Sequence, residues 1–135
     1  MEKKNVIWFS RHQPTATQLA ECEQRGWNVV ALDQGIELGA RNIMDDGDVY
    51  AIGQALLGLA AEHNAAAIIG VWAAPMQEAL ARTAQDAVQK SEWSGVECYA
   101  AWNVTRPVEG GKPVFEHRRF CAVGRLAASA LRWSK

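Results

Sequence analysis

Hydrophobic and polar positions alternate along the chain with two periods, and the period changes from segment to segment. Asn5 to Ser10 is a short β-branched and aromatic run, which predicts a buried strand. Arg11-His12-Gln13-Pro14 breaks it. Thr15 then stands three residues ahead of Gln18, the spacing of a capping box, so a helix is predicted from Ala16 to Arg25. Gly26 suits its left-handed end. A second strand is predicted over Trp27–Leu32, followed by an irregular stretch from Asp33 to Gly47. Asp48 is the expected cap of a second helix, whose apolar stripe is Val49, Ile52, Leu56, Leu59 and Ala60. Ala65 to Val71 reads as a third strand, and Trp72-Ala73-Ala74 as a tight exit into a third helix. Pro75 fits the first turn of that helix, and its apolar line is Met76, Ala79, Leu80, Thr83, Ala87 and Val88.

From Val96 the period becomes two. Cys98, Ala100, Trp102 and Val104 fall on one face of a strand over Val96–Thr105, and Phe115, His117, Arg119 and Cys121 on one face of another over Val114–Val123. With Gly110-Gly111 between them these predict an antiparallel hairpin, and a short amphipathic segment from Leu126 to Trp133 closes the chain. Strands alternating with helices imply a mostly parallel sheet covered on both faces. The expected fold is therefore α/β, a Rossmann-like three-layer domain over residues 1–135 with a C-terminal antiparallel hairpin.

Composition changes this picture little, but charge changes it more. Hydrophobic residues are 49% and charged residues 21%, as in an ordinary globular domain, and the net charge of -1 excludes a globally basic nucleic-acid binder. No duplex nucleic acid is expected as a partner. Residues 1–95 carry 7 Lys and Arg against 12 Asp and Glu, whereas residues 96–135 carry 7 against 3. That positive third would favour an anionic ligand, or simply form a solvated face. The first apolar run is too short for a signal peptide or a membrane span, so a cytoplasmic protein without a membrane partner is expected. Three widely spaced cysteines give neither a disulfide framework nor a zinc site. Asp45, Asp46 and Asp48 lie just ahead of a helix, where capping explains them better than calcium. No metal and no cofactor is expected.

In open α/β sheets ligands settle at the carboxyl ends of the strands. That rule selects Ser10-Arg11-His12, Trp72-Ala73-Ala74, and the stretch from Asn103 to Arg106. Arg11 brings a permanent cation and His12 a proton exchanger near neutral pH, beside the amides of the helix that Thr15 caps, and together they suit an anion. The alternative is a loop in which Arg11 pairs with an acid and His12 caps a carbonyl. Trp72 would stack on a flat ring, with Ala73 and Ala74 permitting close backbone approach, or else belong to the core. Asn103 would read a base edge or a ribose hydroxyl, and Arg106 would meet a phosphate. Dinucleotide and P-loop fingerprints are absent from the sequence.

The opening Val6-Ile7-Trp8-Phe9-Ser10-Arg11-His12 resembles the start of small CRISPR-associated proteins that carry Ser-Arg-His straight after their first strand on a CARF-like (CRISPR-associated Rossmann) fold. Members of the wider CARF group bind cyclic oligoadenylates, and some cleave them as ring nucleases. The resemblance implies a ligand with several phosphates and adenines, an anionic small molecule or short oligonucleotide, bound by a homodimer. It implies metal-independent phosphodiester cleavage in which Arg11 stabilises the phosphorane, His12 moves a proton, and Ser10 and Asn103 orient the ribose. The competing expectation is a non-enzymatic interaction module or regulator from a mobile element, which six tryptophans in 135 residues would suit. A third is a transferase or hydrolase acting on a small phosphorylated metabolite.

Overall fold

A computed structural model describes residues 3–10, 13–31, 46–72, 74–89 and 95–126. In chain order these form β1 (Lys4–Phe9), α1 (Ala16–Gln24), β2 (Trp27–Ala31), α2 (Asp46–Glu62), β3 (Ala65–Gly70), α3 (Ala74–Gln89), β4 (Val96–Arg106) and β5 (Val114–Leu126). One five-stranded sheet has the order β2-β1-β3-β4-β5, parallel throughout except for the β4–β5 hairpin. The α/β, Rossmann-like architecture read from the sequence is thus the one observed. Among the described residues no helix is long and apolar enough to cross a membrane.

The capping box forms as expected. Gln18 N–H donates to Thr15 Oγ1 at 3.2 Å, and Thr15 N–H donates to Gln18 Oε1 at 2.9 Å. Gly26 takes φ +74° just past the helix, a value open to glycine at no steric cost. The second helix departs from expectation. It begins at Asp46, so Asp48 lies inside its first turn instead of capping it. A carboxylate there still meets the positive end of the dipole, which is why the acidic cluster marks the helix start to within a turn. Leu126, the expected start of the closing segment, instead ends β5, and Asp45 and residues 127–133 lie outside the described residues.

Two cores fill the two sides of the sheet. Ile7, Phe9, Ile68, Cys98 and Leu126 pack against Val49, Ile52 and Leu56 of α2 and Met76, Ala79 and Leu80 of α3. Val6, Trp8, Ala67, Ile69 and Phe120 pack against Cys22 of α1. Alternate residues of β1 and β3 therefore serve opposite sides, as a sheet covered on both faces requires.

The hairpin corrects the simple alternation expected of it. Trp102 pairs with Arg119 and Asn103 with His117, so Arg118 is an extra residue in β5; Val123 is a second, between the pairs Tyr99–Ala122 and Cys98–Gly124. Each bulge shifts the facing by one position. His117 and Phe120 consequently share the α1 side, with ring centroids 4.6 Å apart, while Arg119 turns away and sets its guanidinium 5.5 Å from the centre of the Trp102 ring. The expectation that His117 and Arg119 share a face fails because a period of two does not survive an inserted residue.

Candidate functional site

The connections leaving β1 and β3 run to opposite sides of the sheet, β1 to α1 and β3 to α3. In a doubly wound sheet that divergence opens a crevice outside the strand ends. A cleft of about 700 Å³ lies there, on the α1 side. Trp8 and Ile69 contribute apolar wall, Ser10, Gln13 and Thr15 line the β1-to-α1 connection, and Asn103, Arg106, Phe115 and His117 line the hairpin side. Gly70 at the end of β3 also borders the cleft; a Cβ there would lie 3.0 Å from the Phe9 carbonyl oxygen and 3.1 Å from the Trp72 ring.

Four of the residues singled out from the sequence, Ser10, Thr15, Asn103 and Arg106, border this one cleft. Thr15 is there chiefly as a cap, since its hydroxyl already accepts the Gln18 amide. Arg106 is exposed and sits 3.0 Å from Glu116 Oε2, an ion pair by distance although its angle is too poor for a hydrogen bond. Arg11, His12 and Ala73 lie outside the described residues. Ala74 begins α3 and is exposed, but is not among the described walls of the cleft.

Of the two roles expected of Trp72, stacking on a ligand or filling the core, the structure gives it the core. It is only 7% exposed and packs edge to face on Phe9, with ring centroids 5.5 Å apart, in the core under α2 and α3. Its indole N–H donates to the Tyr99 carbonyl at 2.9 Å. The chain leaves β3 toward the α3 side and takes the indole with it, away from the cleft.

Sequence reasoning missed Glu21. From the middle of α1 its carboxylate accepts the Phe120 N–H with both oxygens (3.0 and 3.1 Å), accepts Arg25 Nε at 2.8 Å, and meets His117 Nε2 at 2.7 Å. Burial pushes the carboxyl up, but the bonds from Phe120, His117 and Arg25 outweigh it and hold Glu21 below the usual glutamate range. Arg25 adds a bond from Nη2 to the Phe120 carbonyl at 3.0 Å and lies 4.8 Å from the centre of the Trp27 ring. The side chain of His117 is only 4% exposed, and its Nδ1 has no hydrogen-bond partner among the described residues. His117 borders both the main cleft and a smaller groove of about 450 Å³ between α1 and β5, which Glu21, Arg25 and Arg118 also line. The i, i+4 spacing of Glu21 and Arg25 was visible in the sequence; their bonds to β5, 95 to 99 positions away, were not.

No protein-family model matches the sequence, and neither a curated protein nor a solved structure is significantly similar to it. A functional reading must stand on the geometry. The described wall is largely apolar and neutral. Its two permanently charged side chains, Arg106 and Glu116, pair with each other, and His117 is anchored to Glu21. Such a wall suits the uncharged, flat or sugar-like part of a ligand better than its phosphates. Two of the thiols are poor nucleophiles: burial raises the pKa of Cys22 and, with help from the Glu97 charge, lifts Cys98 to about 12.

Proposed function

We propose that this chain is a nucleotide-binding domain whose ligand occupies the cleft at the carboxyl ends of β1 and β3. The observation that carries this reading is the gathering of Ser10, Asn103 and Arg106 around an apolar recess bordered by Trp8 at the switch point of the sheet. Apolar area takes a base, the Asn103 amide and Ser10 hydroxyl take polar edges, and the rim cation Arg106 takes a phosphate. A cyclic oligonucleotide belongs to the same ligand class, and its phosphodiester cleavage extends the proposal to a reaction.

A thermal-shift panel of mononucleotides, cyclic oligonucleotides and sugar phosphates tests it. A ligand present at a hundred times its Kd should add ~2.7 kcal/mol to stability. Arg106→Ala and Arg11→Ala should each weaken that response without lowering the melting temperature of the free protein. A flat panel, or full response in both variants, refutes the reading.

A second reading, a protein-interaction module, is favoured by the apolar hairpin. Phe115 is 75% exposed, Val114 53% and Trp102 49%. Large exposed aromatics are frequent anchors of interfaces. Sedimentation of the chain alone would reveal a homodimer built on that surface, and Phe115→Ser should return it to monomer.

A further inference from the structure

The most conspicuous unexplained atom is His117 Nδ1. It is buried, and no hydrogen-bond partner meets it among the described residues. An acceptor left bare in this way is costly to a fold. Around it, three features combine.

The ring is fixed. Glu21 Oε1 holds Nε2 at 2.7 Å, and Phe120 packs on the imidazole face with its ring centroid 4.6 Å away. The tautomer follows from the partner. Glu21 already accepts two oxygens' worth of bonds from Phe120 N–H and one from Arg25, and it is ionised at neutral pH, so it can only accept from His117. Nε2 therefore carries the proton, and in the neutral ring Nδ1 presents a lone pair. Finally, His117 has a polar neighbour directly across the hairpin. Asn103 is its register partner, and both residues border the cleft. Side chains of directly opposed residues stand roughly 4.5–5.5 Å apart at Cβ, close enough to grip two adjacent atoms of one ligand.

We infer that Asn103 and His117, the latter oriented by Glu21, form a cross-strand reader of a vicinal diol, the 2′,3′-hydroxyl pair of a ribose. One hydroxyl donates to His117 Nδ1, and its neighbour bonds the Asn103 amide. Glu21 touches no ligand and is a positioning residue. Nδ1 is closed to water in the free chain, so the wall beside it must shift for a hydroxyl to reach it. The inference deepens the nucleotide reading, rests on it for the identity of the sugar, and narrows it to ligands with both hydroxyls free, which a 3′,5′-linked ring lacks. It makes the pocket one for ribonucleotides over their 2′-deoxy counterparts, since a site with a bare acceptor loses a bond when the donor is missing.

The test uses the full chain with two kinds of probe: the four ribonucleoside 5′-monophosphates beside their 2′-deoxy forms, and ribose 5-phosphate beside 2-deoxyribose 5-phosphate. Titration calorimetry should give at least one ribo form binding about ten-fold more tightly than its deoxy partner, the worth of one well-made hydrogen bond. Asn103→Ala and His117→Phe should each erase most of that ratio. Equal affinity for ribo and deoxy forms overturns the diol reader and leaves nucleotide binding standing. Binding of ribose 5-phosphate alone, with the ribo preference, keeps the reader and removes the nucleotide reading. No binding of any probe overturns both. Should His117→Phe fail to fold, the exposed Asn103→Ala carries the affinity test, and ¹⁵N spectra of the imidazole in the wild-type chain carry the rest. A proton found on Nδ1 in the free protein at neutral pH refutes the proposal whatever binds.

Discussion

The two sides of the sheet are built by different means. On one, α2 and α3 lay a continuous apolar surface over Ile7, Phe9, Ile68 and Leu126. On the other, the nine-residue α1 covers part of the sheet, and polar bonds do much of the anchoring: Glu21 and Arg25 grip the backbone of Phe120 while the cleft opens beside them. Apolar packing is non-directional and tolerates no gap, so the first side is held by close contact. Hydrogen bonds are directional and fasten a helix at a few points, so the second side holds its shape with open volume next to it. Placing the cleft where packing is incomplete is the physical sense of the asymmetry.

The largest way to break the comparison is to disturb the packed side at its closest approach. At Gly124 an added Cβ would stand 2.3 Å from the carbonyl carbon and oxygen of Leu80, so α3 lies directly on the strand backbone. Backbone cannot swing aside as a side-chain tip can. Gly124→Ala should therefore destabilise by about 3 kcal/mol, at the upper end for overpacking, measured as a drop in the urea midpoint. A loss under about 1 kcal/mol would show that α3 is free to lift, and the packed side would not be as rigid as claimed.

The polar side should fail through the latch. Glu21→Ala leaves the Phe120 amide, the His117 ring and the Arg25 guanidinium without their shared acceptor. A loss of about 2 kcal/mol is expected, the usual cost of stranding partly buried donors. The pH dependence sharpens this. The folded state holds the Glu21 carboxyl below its ordinary value, so its contribution is complete above the unfolded pKa, about 4.3 for glutamate, and disappears as pH falls through the depressed folded pKa. Wild type should lose stability between pH 5 and acid more steeply than Glu21→Gln, in urea titrations taken at successive pH values. Parallel curves would mean that the carboxylate charge contributes nothing to the latch.

What the sequence disclosed follows the same division. Period and local chemistry revealed every described element, the Thr15–Gln18 capping box and the Gly26 terminus, because these depend on neighbours within a turn. The cleft was half legible. Strand-end logic led to Ser10, Asn103 and Arg106, since the loop after a parallel strand must emerge at one edge. It left Trp72 open, and the direction of the chain's exit decided between cleft and core. Glu21 and the true facing of His117 were not legible at all. The first depends on bonds to residues nearly a hundred positions away, and the second on a bulge at Arg118 that leaves no mark in the hydrophobic pattern.

The smallest effect on the fold is also the finest probe of the open side. Arg106 and Glu116 face each other on the exposed hairpin, with side chains 67% and 41% accessible. An exposed pair of this kind is screened by water, so Glu116→Gln should move stability by no more than about 0.5 kcal/mol. Its consequence for the cleft should be larger than that for the fold. Glu116 now offsets the charge of the one described arginine on the cleft wall, and it repels an approaching phosphate. Removing it should tighten binding of any phosphate-bearing ligand several-fold at low salt, and the gain should shrink as salt is added. If affinity is unchanged while Arg106→Ala still weakens binding, Arg106 already abandons Glu116 for the ligand, and the pair is a resting contact of the empty cleft. If neither substitution matters, the ligand's phosphates sit elsewhere, and the phosphate contact proposed for Arg106 is overturned.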